Sequence, residues 1–285
     1  MSQRIPIPEP IKRVVRKVAF FGCSICGNPL LEYAHIIRYE ISQDNRPENL
    51  VALCPNHHRE YDLDGFSEKQ IRDYKLNPFN KGRDIKKDFN ILGEIPIIEA
   101  GTNICRNTPV LLSIDGKNIV TLHKQDNQLF LNALFYDRNN SLIAYIKNNE
   151  WCTLNEQVWD IVYRTVAREL TIRTRPRDIM LKLRISSGVV HFSGKLYYNG
   201  LKVVISQTQM KVGNNSCFFR GCTFDDCITA VSVNTTSGSI GIASSEHEHE
   251  YATPLLIFLR EAGISALYKT FLIPRGCKFC KRLQT

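Results

Sequence analysis

No run of eighteen consecutive apolar residues occurs anywhere in the 285-residue chain, which argues against a membrane-spanning helix. The start, Met1-Ser-Gln-Arg-Ile-Pro-Ile-Pro, lacks the apolar core of a secretory signal. Export is therefore not expected, and the cysteines are read as those of a reducing cytoplasm. In that setting, cysteines paired at short spacing point to metal or free thiols and not to disulfides. Low-complexity tracts and convincing repeats are missing too. A basic tail is also lacking. The net charge of +9 is spread, with 15 Lys/Arg against 12 Asp/Glu in residues 1–90 and 22 against 16 in residues 91–285. An excess of this sign favours an anionic partner, nucleic acid first among them, and its spread implies that both halves would touch it.

What is present divides in two. Residues 9–20 carry Ile11, Val14, Val15 and Val18 as one apolar stripe behind Pro10, the pattern of a short amphipathic helix. A strand is expected from Leu30 to Ile37, a polar loop from Arg38 to Glu48, and a second strand from Leu50 to Leu53. Pro55 suits the first turn of a helix through Tyr61, and Ser67 suits the N-cap of another reaching Tyr74. Residues 77–90 are rich in Asn, Pro, Gly and alternating charge, so the boundary is placed there, giving domains 1–88 and 89–285. Beyond it come strand-like runs around Val120, Leu129, Leu142 and Val203, separated by turn signals such as Asp115-Gly116, Asn139-Asn140 and Asn199-Gly200. The second domain reads as mostly β, sandwich-like or β-solenoid-like, with a late helix near Pro254–Ala262. The fold class is α+β.

Cys23-x2-Cys26 and Cys54-x2-His57 supply four thiolate and imidazole ligands from two knuckles, the spacing of a closed tetrahedral structural Zn2+ site. Such an ion would contribute folding free energy to a segment too small to stabilise itself. A lone C-x2-C, Cys277 and Cys280, would either join two of Cys217, Cys222 and Cys227 in a second zinc site or leave all of these as reduced structural thiols.

Between the zinc ligands lie Tyr33-Ala34-His35-Ile36-Ile37 and Asn49-Leu-Val-Ala-Leu-Cys54-Pro-Asn-His57-His58-Arg59. Over about residues 20–66 this order and spacing resembles the HNH endonuclease family, the His-Me finger or ββα-metal nucleases. The resemblance implies a zinc-knuckled ββα-metal domain in which His35 is the general base, Asn49 orients the loop and the base, and His58 binds a catalytic Mg2+ or another divalent ion. Phosphodiester hydrolysis needs both a base for water and a cation for the charge developing on the phosphate. Adjacent helical residues point about a hundred degrees apart, so His57 can face the zinc while His58 faces the reaction. Many members carry a further metal ligand just before the base; here that residue is Ala34. Asp62, one turn beyond His58, is the candidate second ligand.

In the second half, Arg173, Arg175, Lys182 and Arg184 are expected to share one face of two strands around Pro176, as a phosphate-contacting patch. Together these features describe a cytoplasmic, metal-dependent HNH endonuclease acting on DNA in restriction or antiviral defence. Its β domain would serve target recognition, homo-oligomerisation, or sensing of an activating ligand or protein partner. The rivals are a non-catalytic zinc module that binds nucleic acid or protein, and a nuclease held inactive by its own C-terminal domain.

Overall fold

Leu50, Val51, Ala52 and Leu53 are all buried, and the N-terminal part of the computed structural model is built around them. The structure describes residues 5–153, 158–164, 168–213 and 217–244, and the backbone of 251–256 and 270–274. The chain divides into two compact units, Met1–Lys87 with Cys152–Met180, and Asp88–Trp151 with Leu181–Thr285. Helices are few and strands many, and among the described residues no helix is long and apolar enough to cross a membrane.

The first unit runs α1 (Glu9–Val18), β1 (Glu32–His35), α2 (Tyr39–Ser42), β2 (Leu50–Leu53), α3 (Pro55–Asp62) and α4 (Glu68–Leu76), with a 3-10 turn at Pro47–Asn49 leading into β2. β1 and β2 pair antiparallel, Glu32 opposite Leu53 and His35 opposite Leu50. Two strands alone are marginal in water, and here both faces are covered. Leu50 and Ala52 pack with Val15 and Ala19 of α1. Val51 and Leu53 pack with Ala34, Ile36 and Ile71 of α4 on the other side, as strand alternation requires. Local chemistry sets the helix starts: Pro55 opens α3, and Ser67 with Gln70 forms a capping box on α4. The first strand is shorter than its apolar run predicts. The expected loop after it contains the single turn α2, which ends where Gln43 adopts φ 47°.

Residues 152–180 belong to this unit through a buried ion cluster. Arg16, only 4% exposed, donates from Nε and Nη2 to the two oxygens of Asp160, at 3.0 Å each. It also donates to the Tyr33 hydroxyl at 2.7 Å and to Glu9 at 2.8 Å. Arg13 stacks 4.3 Å from the Trp159 ring. Asp160 sits at the start of the strand Asp160–Arg164, which pairs antiparallel with Glu169–Arg175 and places Arg173 directly opposite it. The Arg173 guanidinium lies 3.8 Å from Asp160.

The second unit is strand upon strand. Ser239–Ser244, Thr229–Asn234, Val110–Ile114, Lys117–Gln125, Gln128–Tyr136 and Leu142–Lys147 lie side by side in that order. All neighbours are antiparallel except Thr229–Asn234 beside Val110–Ile114. A second sheet has Leu181–Ser186 against Val189–Gly194, Leu201–Ile205 on the far side of the same strand, and Met210–Val212 beyond that. Buried and half-buried residues alternate along Gln128–Tyr136 and Val189–Tyr198, and Phe135 stacks on Phe192 at 6.2 Å. Asp115-Gly116 and Asn199-Gly200 have positive φ at both positions, the geometry whose twist matches a two-residue hairpin. The stretch Cys217–Cys227 contains two three-residue strands with different partners. Cys217–Phe219 pairs with Met210–Val212, and Thr223–Asp225 with Asn103–Arg106. The expected late helix is corrected in part, because Tyr251–Leu256 is a strand paired with Thr270–Pro274; residues 257–262 lie outside the described residues.

Asp160→Ala leaves a buried guanidinium without its main partner. It is expected to cost about 3 kcal/mol of stability, read as a lowered midpoint in urea denaturation of the full chain. An unchanged midpoint would show that residues 152–180 are not integral to the first unit.

Candidate metal centre and active site

The first pair of thiols sits on a loop that closes on itself. The Cys23 N–H donates to the Asn28 carbonyl and the Gly27 N–H to the Cys23 carbonyl, both at 2.8 Å. Gly27 makes the turn at φ 76°, where a Cβ would also fall 2.3 Å from the Asn80 side chain. The buried Asn80 donates to the carbonyls of Phe20 and Gly27 and pins the loop from outside. The second pair brackets the start of α3, with Cys54 as its N-cap residue and His57 in its first turn.

One ligand atom from each of Cys23, Cys26, Cys54 and His57 lies within 4.8 Å of all the others. The Cys26 and Cys54 sulfurs are 3.8 Å apart, and His57 Nδ1 is 3.4 Å from Cys23 and 3.2 Å from Cys54. A tetrahedral zinc with Zn–S near 2.3 Å and Zn–N near 2.0 Å has edges of about 3.8 Å between sulfurs and about 3.5 Å from sulfur to nitrogen. The four residues fit that ion, with His57 binding through Nδ1. Burial pushes the Cys23 thiol up to about 12 and raises Cys26 as well. A bound zinc overrides this by deprotonating the thiols it coordinates, so loading the site releases protons.

His35 ends β1 and is 7% exposed. Its Nε2 is 2.9 Å from Asn45 Oδ1, and the Asn45 amide is oriented by donating from Nδ2 to the Ile5 carbonyl. An amide oxygen only accepts, so Nε2 carries the proton and Nδ1 keeps the lone pair a base needs. Asn49 is buried and spends its amide on the loop between β1 and β2. Its Oδ1 accepts from the Ile37 N–H at 2.8 Å. Its Nδ2 reaches the Ile37 carbonyl, Ser42 Oγ and the Asp44 carbonyl, each at 3.1 Å. Lys75 of α4 braces the same turn by donating to the carbonyls of Pro47 and Glu48. Asn49, expected to orient both the loop and His35, holds the loop, while Asn45 contacts His35. Nothing in the sequence marked Asn45 among the polar residues of its loop.

His58 points away from the zinc ligands, as expected of the residue after His57. Its Nε2 lies 3.8 Å from Asp62 Oδ2, and its Nδ1 lies 2.7 Å from Glu32 Oε2. The two side chains lie one helical turn apart on the same face of α3, where both could turn toward one cation. Glu32 escaped the sequence reading, although period-two alternation along β1 puts it on the face of Ala34. Ala34 itself is 2% exposed and packed among Ile36, Val51, Leu53 and Ile71, which leaves no room for a solvated ligand there.

The expected basic patch is distributed over both units. Arg173 and Arg175 belong to the first, Lys182 and Arg184 to the second. Arg173 faces Asp160, whereas Arg175 and Arg184 are exposed. Among the described residues only the Cys23–His57 group gathers as a metal cluster of this kind. Cys217 and Cys222 are buried. Cys277 and Cys280 lie outside the described residues.

Comparison with known proteins adds one finding: residues 23–67 match the family model described as HNH endonuclease. No curated protein and no solved structure matches the chain.

Ala34→Asp is expected to destabilise the first unit by at least about 2 kcal/mol, because it buries a carboxylate among aliphatic side chains. Thermal unfolding of the zinc-loaded protein would read this, and a variant as stable as the parent would contradict the packing described here.

Proposed function

From the premise that residues 23–67 form an HNH endonuclease segment, we propose that the chain is a metal-dependent endonuclease that hydrolyses phosphodiester bonds in DNA. The observation that carries this reading is the His35–Asn45 contact, which leaves a histidine at the strand end with Nδ1 as its basic atom. In this reading Cys23, Cys26, Cys54 and His57 hold a structural zinc and shape the loop. His58 and Asp62 hold the divalent ion, which supplies positive charge to the scissile phosphate and the leaving oxygen.

His35 Nδ1 accepts a proton from water as the water oxygen bonds to phosphorus. The P–O3′ bond breaks, and the 3′-oxygen takes a proton from solvent. Asn45 holds the ring so that the imidazolium formed keeps its Nε2–H bonded, and Asn49 keeps the loop carrying Asn45 in register. The net charge of +9 supports a polyanionic substrate. Arg175, Lys182 and Arg184 are candidate phosphate contacts, with Arg173 a weaker one given its place beside Asp160. The stacking of Phe135 on Phe192 supports a sandwich-like second unit. We assign that unit to target recognition, assembly or sensing, and by analogy place the protein in cytoplasmic restriction or antiviral defence.

A second reading is favoured by the burial of Ala34, which thins the ligand set: a non-catalytic zinc module that binds DNA. His35→Ala decides between the two. Loss of a general base lowers cleavage by about 10²- to 10⁴-fold, so plasmid nicking in Mg2+ or Mn2+ should fall by at least about a hundredfold with zinc content retained. Equal nicking by parent and variant would remove His35 from the mechanism. Absence of nicking by the parent in every metal, with DNA binding intact, would favour the binding module.

A further inference from the structure

Resting on the metal-dependent reading above, we propose that Glu32 is a positioning residue for the divalent ion, fixing His58 so that its Nε2 and Asp62 present one ligand pair. The HNH resemblance expects a ligand from β1 at position 34, and the fold has turned that position into core. Glu32 lies two residues earlier on the same strand face, at the open end of β1, with its side chain about half exposed. From there its carboxylate reaches across to α3.

The contact has a defined chemical effect. At 2.7 Å between Oε2 and His58 Nδ1 it is in the range of a charge-assisted hydrogen bond. An ionised carboxylate only accepts, so the proton resides on Nδ1 and the lone pair on Nε2. That lone pair is on the side of Asp62, whose Oδ2 is 3.8 Å away. The imidazole therefore has a carboxylate on each nitrogen, with different roles: Glu32 sets tautomer and ring orientation, and Asp62 shares the cation. A metal-binding histidine that donates its other N–H to a carboxylate is the usual arrangement around such ions, and losing that partner costs about 10- to 100-fold in metal affinity. An ordinary surface ion pair would contribute almost nothing. The two possibilities therefore predict different affinities.

The test uses the full chain with zinc bound, titrated with Mn2+ while free Mn2+ is counted by electron paramagnetic resonance. The parent is expected to bind one Mn2+ beyond its zinc, and Asp62→Ala to bind none. Glu32→Ala should bind at least about tenfold more weakly, and Glu32→Gln, which keeps an acceptor oxygen, should fall in between. Zinc content confirms that each variant is folded. In metal-free 15N spectra, the parent His58 should be the Nδ1–H tautomer, and Glu32→Ala a mixture. Affinity within twofold of the parent for Glu32→Ala overturns the proposal, as does a parent His58 protonated on Nε2 alone. Glu32→Gln as weak as Asp62→Asn also overturns it, because Glu32 would then be a direct ligand. If the parent binds no Mn2+, the metal-dependent reading itself fails. If it binds and Glu32 proves irrelevant, only this inference falls.

Discussion

Four ligand atoms drawn from two loops, more than thirty residues apart at their extremes, must meet within 4.8 Å, and most of the first unit serves that meeting. Bringing Cys23 and Cys26 to Cys54 and His57 aligns β1 with β2, because each ligand pair lies at the end of a strand connection. The alignment puts α3 across one face of the strand pair and α1 across the other. Tetrahedral coordination at this cluster would fix positions that a four-residue buried strand is too short to fix through apolar contact alone.

The division between neighbouring histidines follows from the same geometry. With His57 Nδ1 turned toward the thiols of Cys23 and Cys54, the helical twist turns His58 to Glu32 and Asp62. His35 lies at the other end of β1 from Glu32, held by a loop whose shape depends on the Asn49 amide. The candidate zinc ligands and the candidate catalytic residues are thus different side chains of the same short segment. Displacing the Cys–His cluster would move His58 through α3, whereas replacing His58 leaves the four cluster residues in place.

Much of this unit was readable from residue order. The two ligand pairs, the Pro and Ser helix starts and the strand Leu50–Leu53 all rest on local rules that hold regardless of tertiary context. Asp62 could be placed beside His58 because one helical turn is a local distance. Asn45 and Glu32 could not be found that way. The Asn45 contact depends on how a ten-residue loop folds back, and the Glu32 contact depends on a helix crossing a strand. Arg173 shows the opposite failure. Alternation correctly set it apart from the buried Leu170 and Ile172, yet only the fold reveals Asp160 across the strand pair. The hairpins of the second unit were legible from their Asp-Gly and Asn-Gly turns, but its sheet order was not. The parallel pairing of Thr229–Asn234 with Val110–Ile114 joins segments more than a hundred residues apart and carries no local signal.

Arg16 and Asp160 are separated by 144 residues, and that interval is also a delay. At about 5–20 residues per second of synthesis, Asp160 leaves the ribosome about 7–30 seconds after Arg16. For that period Arg16 has Glu9 and Tyr33 but lacks its main partner, and the fold of the first unit stays incomplete. The Cys–His cluster and His35 emerge early, but the segment that closes the unit comes after more than a third of the second unit has been made. A chain interrupted before residue 160 would therefore release the zinc-knuckle segment without its finishing strand pair.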